Sequence, residues 1–104
     1  MKTYRVIISD MARSEILDIG RHIKADNPKR AQSFIAELLQ SCHSLRDFPE
    51  SHALIADPKS RGLRRLVHGN YLVIFRLEGQ AVHILHVLNG ARDYEQLLFP
   101  DDEG

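Results

Sequence analysis

Residues 63–90 constrain this chain more than any other stretch. Three β-rich runs, 63–67, 71–77 and 81–88, are separated by His68-Gly69-Asn70 and Glu78-Gly79-Gln80. Glycine-containing gaps this short between runs of β-formers predict antiparallel hairpins, here joined by three-residue connections. The middle run, Tyr71-Leu72-Val73-Ile74-Phe75, is apolar throughout. A strand of that composition is buried on both faces, so it belongs inside a sheet rather than at its edge. Asn89-Gly90 then supplies the turn that ends the third run, with Arg92-Asp93 at the exit.

The rest of the chain arranges itself around this meander. Thr3-Tyr4-Arg5-Val6-Ile7-Ile8 is rich in aromatic and β-branched residues and predicts a first strand. Ser9 and Asp10 are both good N-caps and open a helix. Ala12, Ile16, Ile19 and Ile23 recur at spacings of four, three and four, with Leu17 widening the apolar stripe; Arg13, Glu15, Asp18, Arg21 and Lys24 take the outer face. Gly20 weakens that helix by about 1 kcal/mol relative to Ala, a cost that a close helix crossing would explain. Asn27-Pro28 breaks the pattern, Asn as N-cap and Pro at the first helical position. A second helix follows with Ala31, Phe34, Ile35, Leu38, Leu39, Cys42 and Leu45 on one face, ending before Phe48-Pro49. So short a link makes the two helices an antiparallel hairpin. Residues 50–61 are weakly patterned and long for a plain connection. Residues 94–99 predict a short C-terminal helix stopped by Pro100, beyond which the chain frays. The order is β-α-α-β-β-β. The expected architecture is α+β, with the helical hairpin on one face of a small, mainly antiparallel sheet and no parallel crossover.

Length and charge narrow the classes. A chain of 104 residues predicts one domain, residues 1–104. The net charge of +0 points to no partner by itself, but the charges are unevenly spread. Residues 59–76 hold Lys59, Arg61, Arg64, Arg65 and Arg76 with no acid, whereas residues 77–104 hold six acids and only Arg92. This pattern implies either docking with a charged partner or a charge-guarded strand edge. Cys42 is the single cysteine, which excludes an internal disulfide and fits a reducing compartment. The apolar run Val6-Ile7-Ile8 is too short for a signal or membrane segment, so a cytoplasmic protein without membrane contact is expected.

Taken together, Tyr4-x-Val6 running into Ser9, Ala12 and Leu17-x-Ile19, then Asp26-Asn27-Pro28, Leu45-x-x-Phe48-Pro49-Glu50, Gly62-Leu63-Arg64, Tyr71-x-Val73-x-Phe75 and Ile84-Leu85-x-Val87-Leu88-Asn89-Gly90-Ala91-Arg92-Asp93 resemble the RelE/ParE superfamily of bacterial type II toxins, specifically its ParE branch. The resemblance covers residues 4–93. It implies a toxin of the plasmid-stabilisation type, neutralised by a cognate ParD-like antitoxin and oligomeric through it. The ParE branch further implies DNA gyrase as the target, inhibited by binding without catalysis. A partly disordered amphipathic antitoxin tail would then fold onto the helical hairpin and the sheet edge. Under this reading Arg61, Arg64, Arg65, Tyr71 and Arg92 form the partner-binding set.

An alternative is the RNA cleavage of the RelE branch, an activity directed at ribosome-bound mRNA. Attack by a 2′-hydroxyl needs a proton acceptor, cations around the crowded phosphate and a proton for the leaving oxygen. Arg64, Arg65, His86, Arg92 and Tyr94 offer those groups, although Asp93 beside a scissile phosphate would repel it. A third reading is a relative that keeps antitoxin binding but has lost toxicity. Metal binding is not expected: His83 and His86 are three apart on a strand, which places them on opposite faces. Cys42 lies on an apolar stripe and should be inert. Ser9, Ser14 and Ser60 lack a nucleophile elbow. No cofactor is expected, and the lone nearby aromatic Tyr71 makes specific nucleic-acid binding by the basic stretch unexpected.

Overall fold

The computed structural model of the chain describes residues 3–55 and 61–90. Strand β1 (Arg5–Ile8) leads into helices α1 (Asp10–Asp26) and α2 (Pro28–Ser44). A 3₁₀ turn (Pro49–Ser51) follows, and then strands β2 (Arg64–His68), β3 (Tyr71–Glu78) and β4 (Ala81–Asn89). The architecture is α+β, in the expected order. The helix expected over residues 94–99 lies outside the described residues.

Local chemistry sets the helix boundaries. The Ser9 side chain accepts a hydrogen bond from the Ala12 N–H and caps α1. Asn27 alone joins the helices. Its N–H closes α1 onto the Ile23 carbonyl, its side chain accepts from the Arg30 N–H, and Pro28 opens α2. A Cβ on Gly20 would lie 3.3 Å from Ile35, so the glycine permits the close approach of the two helices. Leu17 does not widen the apolar stripe; it is 56% exposed.

The four strands run in the order β1-β4-β3-β2. The meander is antiparallel, but β1 pairs parallel with β4, Arg5 opposite Ala81 through Ile8 opposite Ile84, which corrects the expectation of no parallel crossover. The reason lies in the helix lengths. Two helices of 17 residues each carry the chain out and back, so that the Tyr4 N–H donates to the Arg46 carbonyl at 2.9 Å. β2 therefore starts in the direction of β1, and a three-strand meander restores that direction in β4. The hairpin connections are also shorter than expected. His68 still pairs with Tyr71 and Glu78 with Ala81, which leaves two-residue turns. Gly69 (φ 60°) and Gly79 (φ 59°) take the first turn position, where a positive φ suits glycine, as in type II′ hairpins.

The main core lies between helices and sheet. Ile16, Ile19, Phe34, Leu38, Cys42 and Leu45 pack there against Val73, Phe75, Val82, Ile84 and Val87. On the opposite face Leu72, Ile74 and Leu88 form a second cluster with Ile55 and Leu63, so residues 72–75 are buried on both sides as the sequence predicts.

Candidate functional site

The register assigns every described strand residue to a face. Val6, Ile8, Leu66, Val73, Phe75 and Leu77 turn toward the helices. Alternation then places Arg5, Ile7, Arg65, Val67, Arg76 and Glu78 on the other face. Arg65 sits opposite Ile74, and Ile74 opposite His86, so the three form one row across β2, β3 and β4. Two strand spacings separate Arg65 from His86 by about 10 Å, with the fully buried Ile74 between them. The candidate set for RNA cleavage is therefore not convergent among the described residues. Arg64 alternates onto the helix side, and Arg92 and Tyr94 lie outside the described residues.

Arg64 is tied into the backbone. One guanidinium nitrogen donates to the carbonyls of His52 (2.7 Å) and Glu50 (3.1 Å). It clasps the 3₁₀ turn, where Tyr4 donates its hydroxyl proton to Glu50 at 3.2 Å. Burial pushes the Tyr4 phenol above its ordinary pKa, and the Glu50 carboxylate adds to the shift. The weakly patterned loop thus begins with defined structure. The Ile55 N–H donates to the Leu63 carbonyl and the Arg65 N–H to the Ala53 carbonyl, so residues 53–55 cover the first half of the β2 edge. Past Arg65 the exposed residue is Val67, at 63%. It borders an open depression of about 250 Å³ lined by Arg65, Asn70, Tyr71, Leu72 and Gly90 among others. Arg61 is exposed, and its backbone is left-handed (φ 52°). Tyr71 belongs to an aromatic group on the helix side, with its ring 5.5 Å from that of Phe34. Phe34 in turn stacks edge-on with His68 at 5.4 Å. Of the expected partner-binding set, then, Arg61 and Arg65 present free surface, while Arg64 holds the loop and Tyr71 packs on α2.

The register also corrects the reading of the two strand histidines. Ile74 pairs with His86 and Phe75 with Ile84, which leaves Leu85 as the extra residue of a β-bulge. The bulge converts a spacing of three into same-face placement, so His83 and His86 lie opposite Arg76 and Ile74 on one face. They nevertheless engage different carboxylates: His83 lies 3.2 Å from Glu78, and His86 3.1 Å from Glu15. No group of three or more metal-ligating side chains occurs among the described residues.

Glu15 departs from the helical periodicity of α1. Expected on the outer face of α1, it turns inward and is 21% exposed at the side chain. One oxygen accepts from the Val87 N–H at 2.8 Å and the other lies 3.1 Å from His86 Nδ1. Nearby, the Ser9 hydroxyl donates to the Leu85 carbonyl at 3.1 Å. β1 ends at Ile8, so from Leu85 onward β4 has no strand on its β1 side, and the side chains of Glu15 and of the N-cap Ser9 take up backbone groups along that edge. Polar side chains at helix positions beside a strand edge carry no periodic signature, and Glu15 and Val87 are 72 positions apart. Cys42 is buried as expected, and burial pushes its thiol up to about 11.

The profile of the ParE toxin of type II toxin–antitoxin systems (parDE) matches residues 6–94. The chain belongs to the ParE toxin family. Among solved structures, the fold is similar to the chromosomal ParDE toxin–antitoxin system from P. aeruginosa, with TM-score 0.73 and 17% identity over 84% of this chain and 96% of that one. It is also similar to the toxin–antitoxin complex RelBE2 from Mycobacterium tuberculosis, with TM-score 0.67 and 19% identity over 88% and 97% of the two chains. At these identities the likeness speaks for the shared fold. No curated protein matches the chain in sequence. No helix among the described residues is long and apolar enough to cross a membrane.

Proposed function

We propose that this ParE-family chain acts by binding DNA gyrase, without bond-breaking chemistry of its own, and is neutralised by a ParD-like antitoxin. The observation that carries the reading is the family match over residues 6–94. The site geometry agrees with it. Attack of a 2′-hydroxyl on the adjacent phosphate, with departure of the 5′-oxygen, needs its acid, base and cations within hydrogen-bond reach of one phosphate. Here Arg65 and His86 stand two strands apart across a buried isoleucine, and His86 faces Glu15. Arg61 and Arg65, with Val67 and Leu54 exposed beside them, supply cationic and apolar contacts for a protein partner. The antitoxin reading is supported by the similar ParDE and RelBE2 structures, both toxin–antitoxin assemblies.

The test has two arms. The purified chain is added to gyrase supercoiling reactions and to a translating ribosome extract. Lost supercoiling with trapped DNA cleavage, relieved by a ParD-like antitoxin, is the expected result. Cut mRNA in the extract, abolished by Arg65→Ala, would replace this reading with the RelE-type one. Inactivity in both arms, with antitoxin binding intact, would mark a non-toxic relative.

A further inference from the structure

The face of the sheet turned away from the helices is divided. Its apolar part, Leu72, Ile74 and Leu88, is covered by Ile55 and Leu63. Its remaining part carries charge. Arg5, Ala81 and Glu78 form one row across β1, β4 and β3, and Ile7, His83 and Arg76 form the next. Arg65 opens the row after that, on β2. Arg5, Arg65 and Arg76 are all exposed. The described carboxylate among these rows is Glu78, and it is shared between Arg76 at 3.0 Å and His83 at 3.2 Å. The helical layer shows no such bias. α1 carries three basic and four acidic residues and α2 carries two and one, which leaves that layer neutral.

We propose that this arginine band, Arg5–Arg76–Arg65, is a docking surface for the phosphate backbone of duplex DNA. Strand spacing and rise put neighbouring arginines of the band roughly 8–12 Å apart. Guanidinium groups suit phosphate oxygens and need no apolar anchor. An acidic protein partner would instead call for a buried aromatic or aliphatic anchor at the centre of the patch; the exposed apolar side chains on the described part of this face, Ile7 at 38% and Val67 at 63%, lie on the two outer strands rather than at the centre of the band. Single-stranded nucleic acid is disfavoured by the same composition, since stacking needs aromatic side chains. Phe75 and Tyr71 belong to the helix side of the sheet. The band uses Arg5 and Arg76, which the gyrase reading leaves unassigned. The choice of DNA as the duplex rests on that reading, but the test below contains no gyrase, so the two fail separately.

The experiment is fluorescence anisotropy of a labelled DNA duplex of about 20 base pairs, titrated with the full chain between about 50 and 200 mM NaCl. Three phosphate contacts give a log–log salt slope of about −2.7, a loss of roughly 40-fold in affinity across that range. The double variant Arg5→Gln/Arg76→Gln should bring the slope to about −0.9, a loss of roughly 3- to 4-fold over the same range. Glu78→Gln should tighten binding by removing the carboxylate that competes for Arg76. Arg13→Gln/Arg21→Gln, on the outer face of α1, should change nothing, and thermal melts of each variant control for folding. Absence of binding at low salt would overturn the proposal. So would equal losses for the α1 variant, or displacement of the duplex by poly-glutamate of the same total charge; the last result would assign the band to an acidic protein.

Discussion

Glu15 offers the sharpest check on how this structure holds together. Its carboxylate accepts from the Val87 N–H at 2.8 Å and faces His86 Nδ1 at 3.1 Å, at the β4 edge beyond the end of β1. In Glu15→Ala the Val87 N–H loses its protein acceptor and the edge of β4 is uncovered. An orphaned part-buried donor costs about 1–3 kcal/mol, and a hydrogen bond to a charged acceptor contributes about 1.5–3 kcal/mol. Partial access of water lowers the sum, so about 2 kcal/mol is expected. For a domain of this size that is a fall in Tm of roughly 8–16 °C. Glu15→Gln keeps a carbonyl acceptor of the same reach and should lose about half as much. The control is Asp18→Ala, one turn further along α1, whose ion pair with Arg21 is largely exposed and should change stability by less than about 0.5 kcal/mol. Urea unfolding of the three variants gives the energies, and amide exchange at Val87 gives the local effect. A Glu15→Ala variant as stable as the parent, with Val87 still protected, would mean that this carboxylate does not hold the β4 edge.

Three further outcomes follow from the packing. A Cβ on Gly90 would lie 2.5 Å from Leu72 Cγ, so Gly90→Ala should destabilise by about 1–3 kcal/mol in a urea titration, and the same substitution should cost less in a Leu72→Ala background, where the clashing side chain is gone. Cys42, with its thiol pushed up to about 11 from 9.0, should resist thiol reagents at pH 8 until the chain unfolds. Because the folded pKa is the higher one, the protonated thiol stabilises the fold fully below pH 9.0, and roughly 2–3 kcal/mol is lost as the pH rises from there to about 11; Cys42→Ala should remove that dependence. Asn27→Ala removes the cap on Arg30 N–H between the helices and should cost about 1 kcal/mol, visible as a lower melting temperature.

The parts of the fold that repeat were legible in the sequence. The α2 stripe, the all-apolar centre of β3, the Asn27-Pro28 break and the close helix crossing at Gly20 each follow from periodicity or from residue chemistry over a few positions. What was missed depends on contacts between distant segments. The parallel pairing of β1 with β4 comes from matched helix lengths. The bulge at Leu85, which moves His83 and His86 to one face, breaks the alternation on which strand reading relies. Glu15 looked like an outer-face residue because its partner, Val87, is 72 positions away. The site was legible in composition and not in geometry. The basic stretch was visible, but its members divide between faces, with Arg64 spent on the carbonyls of Glu50 and His52 and Arg65 left exposed.

The central functional claim is contact without catalysis, and the direct measurement of it is gyrase inhibition by paired variants. The account predicts that Arg61→Glu/Arg65→Glu relieves the inhibition by at least about tenfold, the effect of roughly 1.4 kcal/mol of lost interface energy, while His86→Gln leaves it unchanged in a chain that still folds. Inhibition untouched by the arginine pair, together with mRNA cleavage that His86→Gln abolishes, would contradict it.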